Sequence, residues 1–155
     1  VKSLAVAKHI IAPALNLGDE IDGVLWAEHP RIAEFVEQLS GSFGISTFMA
    51  GQVAADLTYC RQLSWALDLN TYAPIGPGSS RGLNYLLNRA PNAGWTQDRF
   101  NAELIKIRNA VIDELDIDDL TLHDVQNCMC EFSKYCRTVL GEGKPKTTYQ
   151  PETEF

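Results

Sequence analysis

The chain has 155 residues, 45% of them hydrophobic, which fits one domain able to bury its own core. It contains no apolar run near the ~20 residues of a membrane-spanning helix, so a membrane-anchored function is not expected. A net charge of −7 counts against a non-specific nucleic-acid coat, which needs surplus Lys and Arg, but leaves room for a local basic patch from Arg81, Lys134, Arg137, Lys144 and Lys146.

In chain order, residues 2–15 read as a short apolar helix, after an opening Val1–Leu4 that carries neither an initiator Met nor a leader pattern. Residues 18–28 read as a loop or turn carrying Trp26. Pro30 stands where a first helical residue belongs, and Ile32, Phe35, Val36 and Leu39 follow at helical spacing before Gly41. A helix is expected over 43–63, with Phe43, Phe48, Val53, Leu57 and Cys60 returning to one face, although Gly44 and Gly51 weaken it. Residues 67–80 form a loop that closes in a glycine turn, and 80–89 the helix after it. Thr96 caps a longer helix to about Leu115, with Phe100, Leu104, Ile107, Val111 and Leu115 on its apolar stripe. The acidic stretch 113–119 reads as a solvated helix end. Thr121 and Asp124 resemble a capping box, with Asp in place of the usual Glu or Gln. Nothing alternates with period two. The expected fold is an all-α bundle over residues 1–140, followed by an extended arm over 141–155.

The four cysteines do not suggest a metal site. Residues two apart on a helix point roughly 200° apart, so Cys128 and Cys130 cannot clasp one ion. Reduced, non-ligand cysteines fit a reducing, intracellular setting. No metal and no cofactor are expected. Trp26, Trp65 and Trp95 read as core or rim residues. There is no nucleophilic triad, Walker loop, dinucleotide fingerprint or HExxH.

Three places could carry chemistry. In Gly76-Pro77-Gly78-Ser79-Ser80-Arg81-Gly82, the glycines permit a tight turn whose N–H groups converge on an anion, and the serines sit where an N-cap belongs. The alternative is a well-capped helix after a sharp turn. On the last helix, Leu122, Val125, Met129, Phe132, Cys136 and Val139 form a core stripe, leaving Gln126, Asn127, Cys130, Glu131, Lys134 and Arg137 opposite as a polar pocket wall or a solvated face. Asp56 interrupts an apolar helix, and a buried or half-buried Asp needs a partner, functional or structural.

The glycine loop resembles the hairpin of a helix-hairpin-helix element, the backbone-phosphate grip of DNA glycosylases. Together with 48–59 (FMAGQVAADLTY) and 124–137 (DVQNCMCEFSKYCR), it resembles the helical domain of the thymine-hypermodification proteins. That group includes the helical domain of 5-hydroxymethyluracil DNA kinase, the α-glutamyl/putrescinyl thymine pyrophosphorylases and the amino acid:DNA transferases. The resemblance implies a DNA glycosylase-like fold and chemistry on a base in DNA: an activated pyrophosphate ester of 5-hydroxymethyluracil is displaced by an amine or amino acid. It implies that Gly76, Gly78, Ser79, Ser80, Arg81, Gln126 and Arg137 hold DNA or phosphates. Asp56, Glu131 and Lys134 would be catalytic, a carboxylate deprotonating the amine and the cations receiving the departing pyrophosphate. The implied partners are DNA with a modified pyrimidine, an amine or amino-acid co-substrate, and a kinase domain or partner. The rival readings are a non-catalytic module that recognises DNA or a modified base beside a base kinase, and a protein-interaction domain.

Overall fold

The computed structural model describes residues 7–12, 15, 18–42 and 44–143. After a π-helical turn at Ala7–Ile11, the described residues contain six α-helices with defined bounds: α1 Gly18–Leu25, α2 Ile32–Ser40, α3 Thr47–Thr58, α4 Pro77–Leu86, α5 Gln97–Leu115 and α6 Leu122–Val139. No strand occurs among the described residues, and the fold is all-α. No described helix is long and apolar enough to cross a membrane. Half of the helix expected over 2–15, together with Phe43, Lys144, Lys146 and nearly all of the expected arm, lies outside the described residues.

The apolar residues sort into two clusters. Ile32, Phe35, Val36 and Leu39 of α2 meet Ala50 and Ala54 of α3 with Leu63 and Ala66, and Ile21, Val24 and Leu25 of α1 pack against them. Leu83 of α4, Phe100 and Leu104 of α5, and Leu122, Val125 and Met129 of α6 form the second with Ala73. Each fully buried large side chain, such as Phe100 or Leu104, contributes about 1.5–3 kcal/mol relative to exposure.

Local chemistry explains most helix ends. Thr96 caps α5 by accepting from Arg99 N (3.4 Å), and Asp116, in the left-handed region at φ 52°, ends it. Thr121 and Asp124 form the expected reciprocal box on α6: Asp124 N donates to Thr121 Oγ1 (3.2 Å) and Thr121 N to Asp124 Oδ2 (2.8 Å). The cap of α2 comes from far along the chain. Ile32 N and Ala33 N donate to the Asp68 carboxylate at 2.7 and 2.9 Å, and Asp68 is itself buried.

Four expectations are corrected. Residues 18–25 form a helix rather than a loop, because Ile21, Val24 and Leu25 gain an apolar surface to lie on. Pro30 precedes the N-cap Arg31 and is buried, so it is not the first helical residue. The 43–63 helix shortens to α3, whose buried face is Ala50, Gly51, Ala54 and Ala55, while Val53 and Cys60 are exposed. Small residues there admit close approach: a Cβ on Gly51 would lie 2.1 Å from Pro74 Cγ. Finally, α4 starts at Pro77 with Gly76 as N-cap, three residues before the expected start at Ser80, so Gly78 and Ser79 lie inside the helix instead of in a turn before it.

Candidate nucleic-acid interface

The three sequence segments that carry the resemblance meet in space. Phe48 of α3 packs against Gly76, where an added Cβ would lie 2.7 Å from its ring. Gln126 of α6 donates from Nε2 to Ser79 Oγ at 3.2 Å and to the Pro74 carbonyl at 3.4 Å. His123, one turn earlier, is buried beside the Gly51 backbone. Its burial pushes its pKa below the usual imidazole value, with the Gly51 backbone and Asp124 opposing that shift. The motif residues thus form a seam between α3, α4 and α6.

Within the seam, glycines serve contact between helices. A Cβ on Gly82 would sit 1.9 Å from the Met129 carbonyl oxygen, and one on Gly78 would sit 2.6 Å from Cys130 Sγ. Backbones that close require glycine, as at close-packed helix crossings generally. Cys130 is half-buried and its thiol is pushed up by that burial. The Ser79 hydroxyl donates to Gly76 O and accepts from Gly76 N, both at 3.2 Å, while also accepting from Gln126. Ser79 and Gln126 are fully buried, and their polar side chains turn to each other rather than to the surface. Gly76 is buried as well, its missing side chain making room for Phe48 and Gln126. The helix-hairpin-helix likeness rests on the loop's sequence alone: α3 ends at Thr58, and turns and extended chain lead from there to Gly76.

The charged candidates lie on the outer surface. Asp56 is exposed on α3, not buried as its apolar neighbours suggest, because the apolar side of that helix is its Ala-Gly face. Glu131 and Lys134 are both exposed on α6 and pair with each other, a hydrogen bond that raises the Lys134 pKa. Such an open pair is only weakly stabilising. Arg81 is half-buried on α4 and donates to Asn92 Oδ1 at 3.1 Å. Arg137 of α6 reaches the Glu142 carbonyl at 3.5 Å. Between them lies Tyr85, whose hydroxyl donates to the Glu142 carboxylate; that bond raises its pKa, while Arg81 and Arg137 lower it. Along the outer α4–α6 face, then, three cations stand against Glu131 and Glu142. The structure brings Arg81 and Arg137 to one face and leaves Asp56 on another helix.

Sequence reading passed over Tyr85, Asp68 and Asn84. Asn84 is fully buried in α4 and gathers the following loop: its Nδ2 donates to the carbonyls of Pro91 (3.1 Å) and Ala93 (2.9 Å), and its Oδ1 accepts from Trp95 Nε1 (2.9 Å). A polar residue inside Leu83-Asn84-Tyr85-Leu86 was the available signal. All four cysteines are free, and no cluster of three or more His, Cys, Asp or Glu is arranged for a metal ion among the described residues.

No curated protein and no solved structure matches the chain. A scan against protein families matches residues 3–144 to the family described as 5-hmdU DNA kinase, helical domain, a family of DNA thymine hypermodification. That match takes in α1 to α6 and the whole seam, so the chain belongs to the 5-hmdU DNA kinase helical-domain family.

Proposed function

We propose that the chain is a DNA-engaging helical module that holds a strand carrying a modified thymine for a base kinase. The supporting observation is the outer α4–α6 face: Arg81, Lys134 and Arg137 project from two helices whose inner sides are committed to packing. Phosphates would lie along this face. Because Glu131 and Glu142 offset part of its charge, binding is modest and falls steeply with salt.

Displacement of pyrophosphate from an activated 5-hydroxymethyluracil by an amine or amino acid is the competing activity. It needs a carboxylate free to take the amine's proton beside cations free to receive the leaving group. Glu131 and Lys134 instead engage each other, and Asp56 stands on a different helix. This weighs toward recognition over transfer.

Binding to duplexes carrying thymine, 5-hydroxymethyluracil or its phosphorylated form tests the reading, with wild type beside Arg81→Ala. Affinity should rise with phosphorylation of the base. Arg81→Ala should weaken binding to all three and reduce the salt slope by about one. Equal weak binding that ignores Arg81 would refute the reading in favour of a protein-interaction domain. Incorporation of a labelled amine into pyrophosphorylated DNA would establish the transferase.

A further inference from the structure

Away from the α4–α6 face, an open groove of about 570 Å³ lies where the 87–96 loop runs into α5, lined by Leu87, Arg89, Trp95, Thr96, Arg99 and Glu103 among others. Its size falls within the range of small-molecule sites. The guanidinium of Arg89 lies over the Trp95 ring, 3.8 Å from its centroid, and its Nη2 donates to the Gly94 carbonyl at 3.1 Å. The indole is held in turn by Asn84 Oδ1 and by an edge-on contact with Phe100 at 6.1 Å. Arg89 is therefore a fixed cation on a fixed ring. Arg99, exposed in the first turn of α5, supplies a second guanidinium.

Neither arginine has a carboxylate within 4 Å among the described residues, in a chain whose net charge is −7. The one carboxylate in the groove, Glu103, is paired with Lys106 at 2.8 Å. Asp98, exposed in the same first turn as Arg99, partly opposes the positive charge. Two arginines without counter-ions, beside an apolar wall of Leu87 and Trp95, suit a ligand with a phosphate at one end and a flat apolar ring at the other.

We propose that this groove binds a nucleotide: its phosphate at Arg89 and Arg99, its base against Leu87 and Trp95. The nucleotide comes either free or as part of a DNA strand. The site uses no residue of the α4–α6 face, so the two readings fail separately.

The test follows the assigned indole N–H signal of Trp95 in ¹⁵N-labelled protein, titrated with thymidine monophosphate, inorganic phosphate and an octathymidylate strand. Wild type is compared with Arg99→Ala, Arg99→Glu and Arg61→Ala. Thymidine monophosphate should shift the Trp95 signal saturably, and more tightly than phosphate alone. Arg99→Ala should weaken that binding at least fivefold and Arg99→Glu further, while Arg61→Ala, at an exposed arginine outside the groove, leaves it unchanged. Tighter binding of the strand than of the mononucleotide identifies DNA as the source, and equal binding identifies free nucleotide. A signal that moves with none of the three, moves equally with inorganic phosphate, or moves as readily in Arg99→Ala would overturn the proposal. Arg99 is exposed, so its variants keep the fold, and unchanged thermal melting checks this.

Discussion

Replacing Gly82 with Ala separates the two readings of the glycine loop by the sign of its effect. If Gly82 stood on a helix open to a ligand, Ala would stabilise α4 by about 0.5–1 kcal/mol through its better helix propensity. At the observed crossing, the new methyl carbon would lie 1.9 Å from the Met129 carbonyl oxygen and 2.8 Å from its carbon. A tolerable C···O contact is about 3.3 Å, so the two backbones must part by about 1.4 Å. Both belong to helices, so no flexible side chain can move aside. Overpacking of this kind costs about 1–3 kcal/mol, and the backbone clash points to the upper part of that range. Net of the propensity gain, the loss should be about 2 kcal/mol, which lowers the melting temperature by roughly 4–8 °C for a chain of this length. Circular dichroism at 222 nm during heating measures it. Gly94→Ala, where nothing lies within 4 Å of the added carbon, serves as the control and should not destabilise. Gly82→Ala melting at or above the wild-type temperature would refute the close crossing.

Removing a cap from outside its helix is a second test: Asp68→Ala strips the acceptor from Ile32 N and Ala33 N and should cost about 1–2 kcal/mol by urea denaturation. Asp68→Asn, which keeps one acceptor, should cost less; no change in either variant would mean the cap is idle. Burial lowers the His123 pKa, so the folded state resists its protonation while the unfolded chain accepts it near pH 6.5. Stability attributable to His123 is therefore full above that pH and is lost as pH falls from it toward the folded value. Urea midpoints at pH 7 and pH 5 should differ less in His123→Leu than in wild type, and an unaltered difference would remove His123 from the pH response. Glu131→Gln should leave the melting temperature in place, since its pair with Lys134 is open to water; a clear drop would show that the pair holds α6.

What the sequence revealed depended on how local the cause was. The α5 helix and the α6 capping box were legible because their caps and apolar stripes lie within a few residues of each other. The α1 helix was not, since its Gly and Asp residues look like turn chemistry until Ile21, Val24 and Leu25 find the surface they cover. The buried face of α3 is made of Ala and Gly, whose weak hydropathy cannot outvote Phe48 or Val53 in a periodicity count. Gln126 read as a surface or pocket residue because amides usually are. Its burial depends on Ser79 and Pro74, 47 and 52 residues away. The α6 stripe was right at Leu122, Val125 and Met129 and wrong at Val139, which extends past the cover of the bundle and is exposed.

The division of the interior into two apolar clusters has a dynamic consequence. What joins them is sparse: the Leu122 N–H on the Leu69 carbonyl at 3.2 Å, Tyr59 on Asp124 at 3.4 Å, and the contacts of Gly51 with Pro74 and His123 and of Phe48 with Gly76. Few contacts cross between the halves, so they are expected to differ in the free energy of local opening below the global transition. Amide hydrogen exchange under native conditions should sort into two sets, one shared by α2 and α3 and one by α4, α5 and α6. The first half can then open and reclose while the α4–α6 face and the arginine groove keep their shape.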